Sequence, residues 1–211
     1  MRHIDLEKLK REQESLIDEV ILEDDFNELK TIGACYQAFF EDKIACCIVV
    51  CDKESLKILD KSFAEQEVQI PYVSGYVFYR ECPVVIEAYH KLNIKPDILL
   101  CPFNGTLHPR IGEASQLGLV LNQPTIGVAK ILIAGMTKGN EIYINNELKG
   151  FKLETKTGAN PVYVSPGYKV SLKTSLEIVK KFIKEPHKLP EPMHIAHKLL
   201  NKYKKNLKSE N

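Results

Sequence analysis

The sequence lacks any apolar run close to the roughly 20 residues that a membrane-spanning helix needs. Its first 22 residues carry charges throughout, which is not the pattern of a secretory signal. Internal repeats, low-complexity tracts and linker-like stretches are also missing. We therefore expect no membrane partner, a cytoplasmic location and a single domain over residues 1–211. Within it we predict an N-terminal helix in 1–28, a core with closing helices in 29–205 and a tail in 206–211.

Paired cysteines are missing as well. None of the six cysteines belongs to a Cys-x-x-Cys pair, and none stands at zinc-type spacing from histidine. All six lie in apolar segments, which predicts buried, reduced thiols that pack as small hydrophobic side chains. They are Cys35, Cys46, Cys47, Cys51, Cys82 and Cys101.

The chain has no large excess of charge of either sign, since 29 Lys and Arg residues face 28 Asp and Glu residues. The near balance hides an asymmetry, because acids dominate the first thirty residues and lysine dominates the last sixty. A basic carboxyl-terminal face could contact phosphate groups. A solvated lysine-rich helix explains the same pattern, so charge alone does not choose between these interpretations.

The periodicity of apolar residues predicts an α/β protein. Three strands in succession are followed by strand–helix–strand–helix alternation, which is the element order of a ribonuclease H-like mixed sheet with flanking helices. The predicted helices cover residues 4–22, 75–92, 111–121, 171–184 and 194–203. The predicted strands cover residues 31–40, 43–51, part of 55–70, 97–101 and 125–129, with more strands between 141 and 165 around a turn at Asn145–Asn146.

Four motifs occur in order along the middle of the chain. They read PYVSG at 71–75, FYRECP at 78–83, HPR at 108–110 and PTIGVAK at 124–130. This series resembles the endonuclease V family, magnesium-dependent nucleases that nick DNA at the second phosphodiester bond 3′ to deoxyinosine. The resemblance extends from about Thr31 through most of the chain and implies the same ribonuclease H-like fold.

The resemblance also implies roles for particular residues. Glu81 matches a carboxylate that holds the metal, while His108 and Lys130 match residues beside the scissile phosphate. PYVSG resembles the family's wedge, which fills the gap left by an extruded base and on which an aromatic ring can stack. The lesion-binding residues implied in this way are Pro71, Tyr72, Val73, Ser74, Gly75, Asn104 and Gly105.

Two metal-binding aspartates of the family are absent, and Cys35 and Pro102 stand in their places. A thiol suits the hard Mg²⁺ ion poorly, and proline offers no side-chain ligand. Glu81 is then the remaining metal carboxylate, and we identify no substitute for the lost pair. Strand alternation predicts that Cys101 points away from the lost ligand's side, which argues against a Cys35–Cys101 disulfide or soft-metal pair.

Three functions therefore compete. The first is a DNA repair protein that recognises deoxyinosine or other deaminated bases in DNA, with RNA as a further candidate ligand, and with lost or much reduced nicking. The second is an active endonuclease V, and the third is a non-catalytic scaffold for a protein partner. Tyr72, Glu81, His108 and Lys130 favour the first two, whereas Cys35 and Pro102 favour the first over the second. We expect a monomer.

Overall fold

The computed structural model describes residues 4–209, and its centre is one mixed sheet. The strands within this range are β1 (Thr31–Phe40), β2 (Lys43–Asp52), β3 (Ile58–Glu67), β4 (Ile98–Cys101), β5 (Thr125–Ala129), β6 (Met136–Lys138), β7 (Glu141–Ile144), β8 (Glu147–Leu153) and β9 (Val162–Tyr168). The helices are α1 (Leu6–Ser15), α2 (Val77–His90), α3 (Glu113–Leu121), α4 (Leu172–Phe182) and α5 (Glu191–Ser209). The strands lie in the order β3-β2-β1-β4-β5-β9-β8-β7-β6.

The sheet has the predicted mixed topology. β1, β2 and β3 form an antiparallel meander, whereas β4 pairs in parallel with β1 on one side and with β5 on the other. The remaining neighbours pair antiparallel. Parallel pairing requires a crossover, and the segments that contain α2 and α3 supply the two crossovers. The predicted fold class is therefore confirmed.

Helices cover both faces of the sheet, which explains why β2 is apolar on both sides. Side chains alternate across β1, so Ala34 and Cys35 belong to different cores. Ala34 packs in a cluster with Met193 of α5 and Val179 of α4. Cys35 packs with residues of α2 and α3 on the other face. No helix within residues 4–209 is long and apolar enough to cross a membrane.

Some predicted boundaries were wrong. The first helix ends at Ser15, followed by a 3₁₀ turn at Ile17–Glu19, rather than continuing to residue 22. Acidic side chains follow Ser15, and they are unfavourable at the negative end of a helix dipole. The last helix begins at Glu191, because Pro192 in its first turn needs no amide donor.

The structure also adds a strand and extends the last helix. The short, exposed β6 was not predicted, because three exposed residues carry no apolar pattern. The last helix continues to Ser209, into the predicted tail. Residues 1–3 of the predicted N-terminal segment and 210–211 of the tail lie outside the described residues.

Candidate functional site

The main candidate site is a cavity of about 270 Å³ where β4 and β5 end beside β1. We call it the strand-end pocket. Ligand sites in open α/β sheets commonly lie outside the carboxyl ends of the parallel strands, as this cavity does. Its lining residues are Tyr36, Gln37, Tyr72, Val77, Glu81, Pro102, Phe103, Asn104, Glu113, Ala129, Lys130, Ile131 and Ile133.

Glu81 reaches the pocket from the second turn of α2. The side-chain amide of Gln37 on β1 donates a hydrogen bond to Glu81 Oε2 at 2.9 Å. Burial raises the pKa of Glu81, while the Gln37 hydrogen bond and the charge of Arg80 oppose that rise. Glu81 is thus a partly desolvated carboxyl group held on one side by a neutral donor.

Glu113 is a second carboxyl group in this pocket, and the sequence analysis missed it. It is the first residue of α3, lies only 3% exposed and lines the pocket together with Glu81. Burial raises the pKa of Glu113 to about 7, its own backbone amide lowers it, and the negative charge of Glu81 raises it further. The available signal was a single acidic residue at the start of an otherwise uncharged helix, because an acidic side chain is rarely buried without a partner.

The two positions at which the resemblance implies metal-binding aspartates carry no side-chain oxygen. Pro102 lines the pocket, and its ring offers no oxygen atom to a metal ion there. Cys35 is fully buried and is not part of the pocket lining. Within residues 4–209, no group of three or more His, Cys, Asp or Glu residues is arranged to hold a metal. A three-carboxylate magnesium site at these positions does not fit this chain.

Cys35 packs among other thiols, including Cys101. The prediction that Cys101 points to the opposite side of the sheet was therefore wrong. Ala34 on β1 is level with Leu100 on β4, so Cys35 and Cys101 are neighbours on one face of the sheet. Alternation does not extend to Pro102, because β4 ends at Cys101. Burial and the adjacent Cys35 raise the pKa of Cys101 well above its usual value. All six cysteines are buried free thiols, as predicted.

Lys130 follows β5 and lies at the rim of the strand-end pocket. Its Nζ donates a hydrogen bond to the Tyr36 hydroxyl at 2.5 Å. The Tyr36 ring in turn packs against His197 of α5, with 4.6 Å between the ring centroids. Burial lowers the pKa of His197, and the charge of Lys130 lowers it further. Lys130 therefore offers a fixed positive charge next to a neutral histidine.

His108 and Gly105 line a neighbouring cavity of about 280 Å³ rather than the strand-end pocket. His108 Nδ1 accepts a hydrogen bond from the backbone amide of Arg110 at 3.1 Å. Burial and then the charge of Arg110 lower the pKa of His108 to about 4. The Gly105 amide donates to Ser165 Oγ at 3.0 Å, and a Cβ at Gly105 would lie 1.9 Å from the Pro166 carbonyl oxygen. The structure thus brings Tyr72, Glu81, Asn104 and Lys130 together, but not His108 or Gly105.

The PYVSG segment forms a turn whose base is anchored and whose tip is exposed. The Tyr76 amide donates to the Val73 carbonyl at 3.0 Å, and Gly75 has a φ of +79°, as a type II turn requires. The Gly75 carbonyl accepts hydrogen bonds from the side chains of Gln13 and Arg110, each at 3.1 Å. Tyr72 is 66% exposed beside this anchored turn.

Comparison with known proteins decides the family. The family model for Endonuclease V matches residues 14–198. The chain belongs to the Endonuclease V family. Endonuclease V of Dictyoglomus thermophilum is 39% identical over 200 residues, which cover 90% of this chain and 87% of that relative.

Solved structures of family members superpose on most of the molecule. Endonuclease V of Streptomyces avermitilis has a TM-score of 0.86 at 27% identity, covering 98% of this chain and 96% of its own. Endonuclease V of Ciona intestinalis, solved in complex with DNA that contains an inosine, has a TM-score of 0.84 at 28% identity. That alignment covers 96% of this chain and 98% of the Ciona chain. The resemblance seen in the motifs is therefore confirmed for the family and the fold.

Proposed function

We propose that this member of the Endonuclease V family recognises deoxyinosine or other deaminated bases in DNA, with lost or much reduced magnesium-dependent nicking. The observation that carries the proposal is the state of the two lost aspartate positions. Pro102 puts a ring into the pocket and Cys35 is buried, so Glu81 is the one family metal position that offers a carboxylate to the pocket. Mg²⁺ prefers several oxygen ligands in near-octahedral geometry, which this arrangement does not supply.

Two features support retention of the DNA partner. A family member binds DNA that contains an inosine, and this chain matches that member over nearly its whole length. The exposed ring of Tyr72 stands on an anchored turn next to the strand-end pocket, where it can stack on a base or fill a gap in the duplex. We also propose that the protein is a monomer with a single domain and that it is located in the cytoplasm. RNA is a second candidate ligand.

Nicking assays test the catalytic part of the proposal. With Mg²⁺ and inosine-containing duplex, we expect little cleavage by the unmodified protein and a trace with Mn²⁺. The double variant Cys35→Asp with Pro102→Asp is expected to raise nicking at least about tenfold, because it restores carboxylates as metal ligands. Circular dichroism must first show that this variant is folded, and Pro102→Asp alone serves as the intermediate comparison.

The competing function is an active nuclease with the same substrate. Strong Mg²⁺-dependent cleavage by the unmodified protein, abolished in Glu81→Gln, would replace our proposal with that one. Glu87→Gln on the same helix is the matched control, because Glu87 pairs with Lys91 on the surface away from the pocket.

Binding assays in EDTA test the recognition part. We expect tighter binding to inosine duplex than to matched duplex, and Tyr72→Ala is expected to reduce this preference roughly 5- to 150-fold. The range follows from the ~1–3 kcal/mol that aromatic stacking contributes per base. Tyr72→Phe keeps the ring and is expected to keep the preference. Equal affinity for both duplexes, unchanged in Tyr72→Ala, would favour the protein scaffold instead.

A further inference from the structure

Three exposed apolar side chains surround the mouth of the strand-end pocket. Ile131 is 72% exposed, Tyr72 is 66% exposed and Ile133 is 38% exposed, and all three line this cavity. Ile131 has the largest exposed fraction among the large apolar side chains of residues 4–209. Single exposed apolar side chains are ordinary on a protein surface, whereas a group of them around one cavity indicates an interaction site.

The backbone at Ile131 is held in place by buried groups of the core. The side-chain Nδ2 of the buried Asn104 donates a hydrogen bond to the Ile131 carbonyl at 3.3 Å. The Asn104 carbonyl in turn accepts a hydrogen bond from the Ala114 amide of α3 at 3.0 Å. A side chain on a backbone that is already ordered loses less entropy when it binds a partner. Ile131 is therefore an exposed apolar group in a fixed position.

Ile131 and Tyr72 lie on opposite sides of the pocket. Ile131 directly follows β5, whereas Tyr72 also lines a cavity beside the β1–β2 turn at Glu41 and Asp42. In the sheet, β4 lies between β1 and β5. The two exposed side chains thus come from separate segments and border the pocket from its two sides.

The charge around the pocket mouth indicates the class of partner. Ile131 adjoins Lys130, and a groove continues from Lys130 past Lys156 and Lys188. A matching partner must offer flat apolar faces together with negative groups. Nucleic acid from which a base is turned out offers both, because extrusion uncovers the faces of the neighbouring bases beside their phosphates. A membrane surface fits less well, because its apolar interior receives side chains that project together from one amphipathic face rather than from the two sides of a cavity.

We propose that Ile131 is a second wedge, which packs on a base face that extrusion uncovers on the side of the pocket opposite Tyr72. Apolar side chains, isoleucine among them, insert between base steps in proteins that kink DNA. Because such a contact forms only where the stack is open, it favours a site with an extruded base over intact duplex. The inference rests on the proposed recognition of deaminated bases and adds a residue that determines its selectivity.

Binding assays in EDTA measure the contribution of Ile131. Ile131→Ser is expected to reduce the preference for inosine duplex over matched duplex at least about fivefold, because it removes apolar area that the complex buries. Ile131→Leu keeps that area and is expected to keep the preference. Ile94→Ser is the matched control, because Ile94 is 43% exposed and precedes β4, at the end of the strand opposite the pocket.

Tryptophan fluorescence tests the contact directly, since the chain has no tryptophan of its own. The emission of Ile131→Trp is expected to be quenched more by inosine duplex than by matched duplex, whereas the emission of Ile94→Trp should respond to neither. Stacking of the indole ring on a base is the expected cause of the quenching.

The outcomes separate this inference from the function on which it rests. No preference for inosine in the unmodified protein would overturn both. A preference that Tyr72→Ala loses and Ile131→Ser retains, with equal quenching of Ile131→Trp by both duplexes, would overturn the second wedge alone. Binding to vesicles of phosphatidylserine and phosphatidylcholine that Ile131→Ser abolishes, with an unchanged inosine preference, would overturn it in favour of a membrane contact.

Discussion

At the scale of single residues, the strand-end pocket is lined by a proline and by a buried acid. Pro102 stands where the family resemblance implies a metal-binding aspartate, and Glu113 is a carboxyl group that the sequence analysis missed. Cys35 belongs to an apolar cluster with Cys82 and Cys101, and burial raises the pKa of both of these thiols. An aspartate at position 35 would therefore enter a cluster of neutral thiols, which is why its restoration needs a folding control.

His108 gives a prediction about pH and stability. Its pKa falls from about 6.5 in the unfolded chain to about 4 in the folded protein, chiefly through burial. Because the folded state disfavours the charged form, the unfolded chain binds more protons between these values. The free energy of unfolding should therefore fall by roughly 3 kcal/mol as the pH drops from 7 to 4 through this group alone, at 1.36 kcal/mol per pKa unit.

Urea unfolding at several pH values measures that contribution. In His108→Gln the loss of stability between pH 7 and pH 4 should be smaller by about that amount, whatever the variant's stability at pH 7. The exposed His90 provides the control variant His90→Gln, which removes an exposed rather than a buried histidine. A His108→Gln variant with an unchanged pH dependence would show that His108 does not titrate in this range.

At the scale of elements, the sequence predicted the buried strands of the sheet more accurately than the exposed edge strand and the ends of the helices. β1, β2 and β5 carry continuous apolar stretches because both faces of the sheet are covered, and their limits were predicted within about a residue. β6 has no such pattern because it is exposed, and Pro192 concealed the start of α5. Of the site, the sequence predicted only the residues that the family resemblance implies. Glu113 lies outside the matching motifs, and its closeness to Glu81 depends on how α2 and α3 pack.

The turn of the PYVSG segment yields a prediction about its glycine. In Gly75→Ala the φ of +79° costs about 1–2 kcal/mol, and the added Cβ would lie 3.0 Å from the Arg110 guanidinium. Gly158→Ala is the matched control, because its φ of +74° is similar and no atom lies within 4 Å of the added Cβ. Urea unfolding should show that Gly75→Ala loses more stability than Gly158→Ala.

The same pair of variants tests whether the anchor positions Tyr72. Displacement of Arg110 would release the Gly75 carbonyl, which Arg110 and Gln13 hold. We expect Gly75→Ala to lower the preference for inosine duplex, and Gly158→Ala to leave it unchanged. An unchanged preference in Gly75→Ala, despite lower stability, would mean that the anchored turn does not position the ring.

At the scale of the whole molecule, lysines from the carboxyl-terminal region lie together on one surface, which the net charge of +1 does not reveal. Lys198, Lys202 and Lys205 line a groove on α5 together with His194 and His197. A second groove joins His194 and His197 to Tyr36 and Lys130 at the strand-end pocket. Burial lowers the pKa of both histidines, so lysine supplies the positive charge of this surface at neutral pH.

This continuous basic surface gives the last prediction, which concerns affinity rather than recognition. Lys198→Ala with Lys202→Ala is expected to weaken inosine and matched duplex by the same factor, because phosphate contacts carry no sequence information. If both lysines contact phosphate, the slope of log affinity against log salt should become shallower by about 2. Fluorescence anisotropy at several salt concentrations measures both quantities.

The matched control places the same charge change at the opposite end of the sheet. Lys53 and Lys57 follow β2, whose last residue, Asp52, pairs with the first residue of β1. Lys53→Ala with Lys57→Ala removes two charges far from the strand-end pocket, so the salt slope should stay within experimental error of the unmodified protein. Equal losses in both double variants would indicate a general effect of net charge, and a selective loss for inosine duplex would place the α5 lysines in lesion recognition instead.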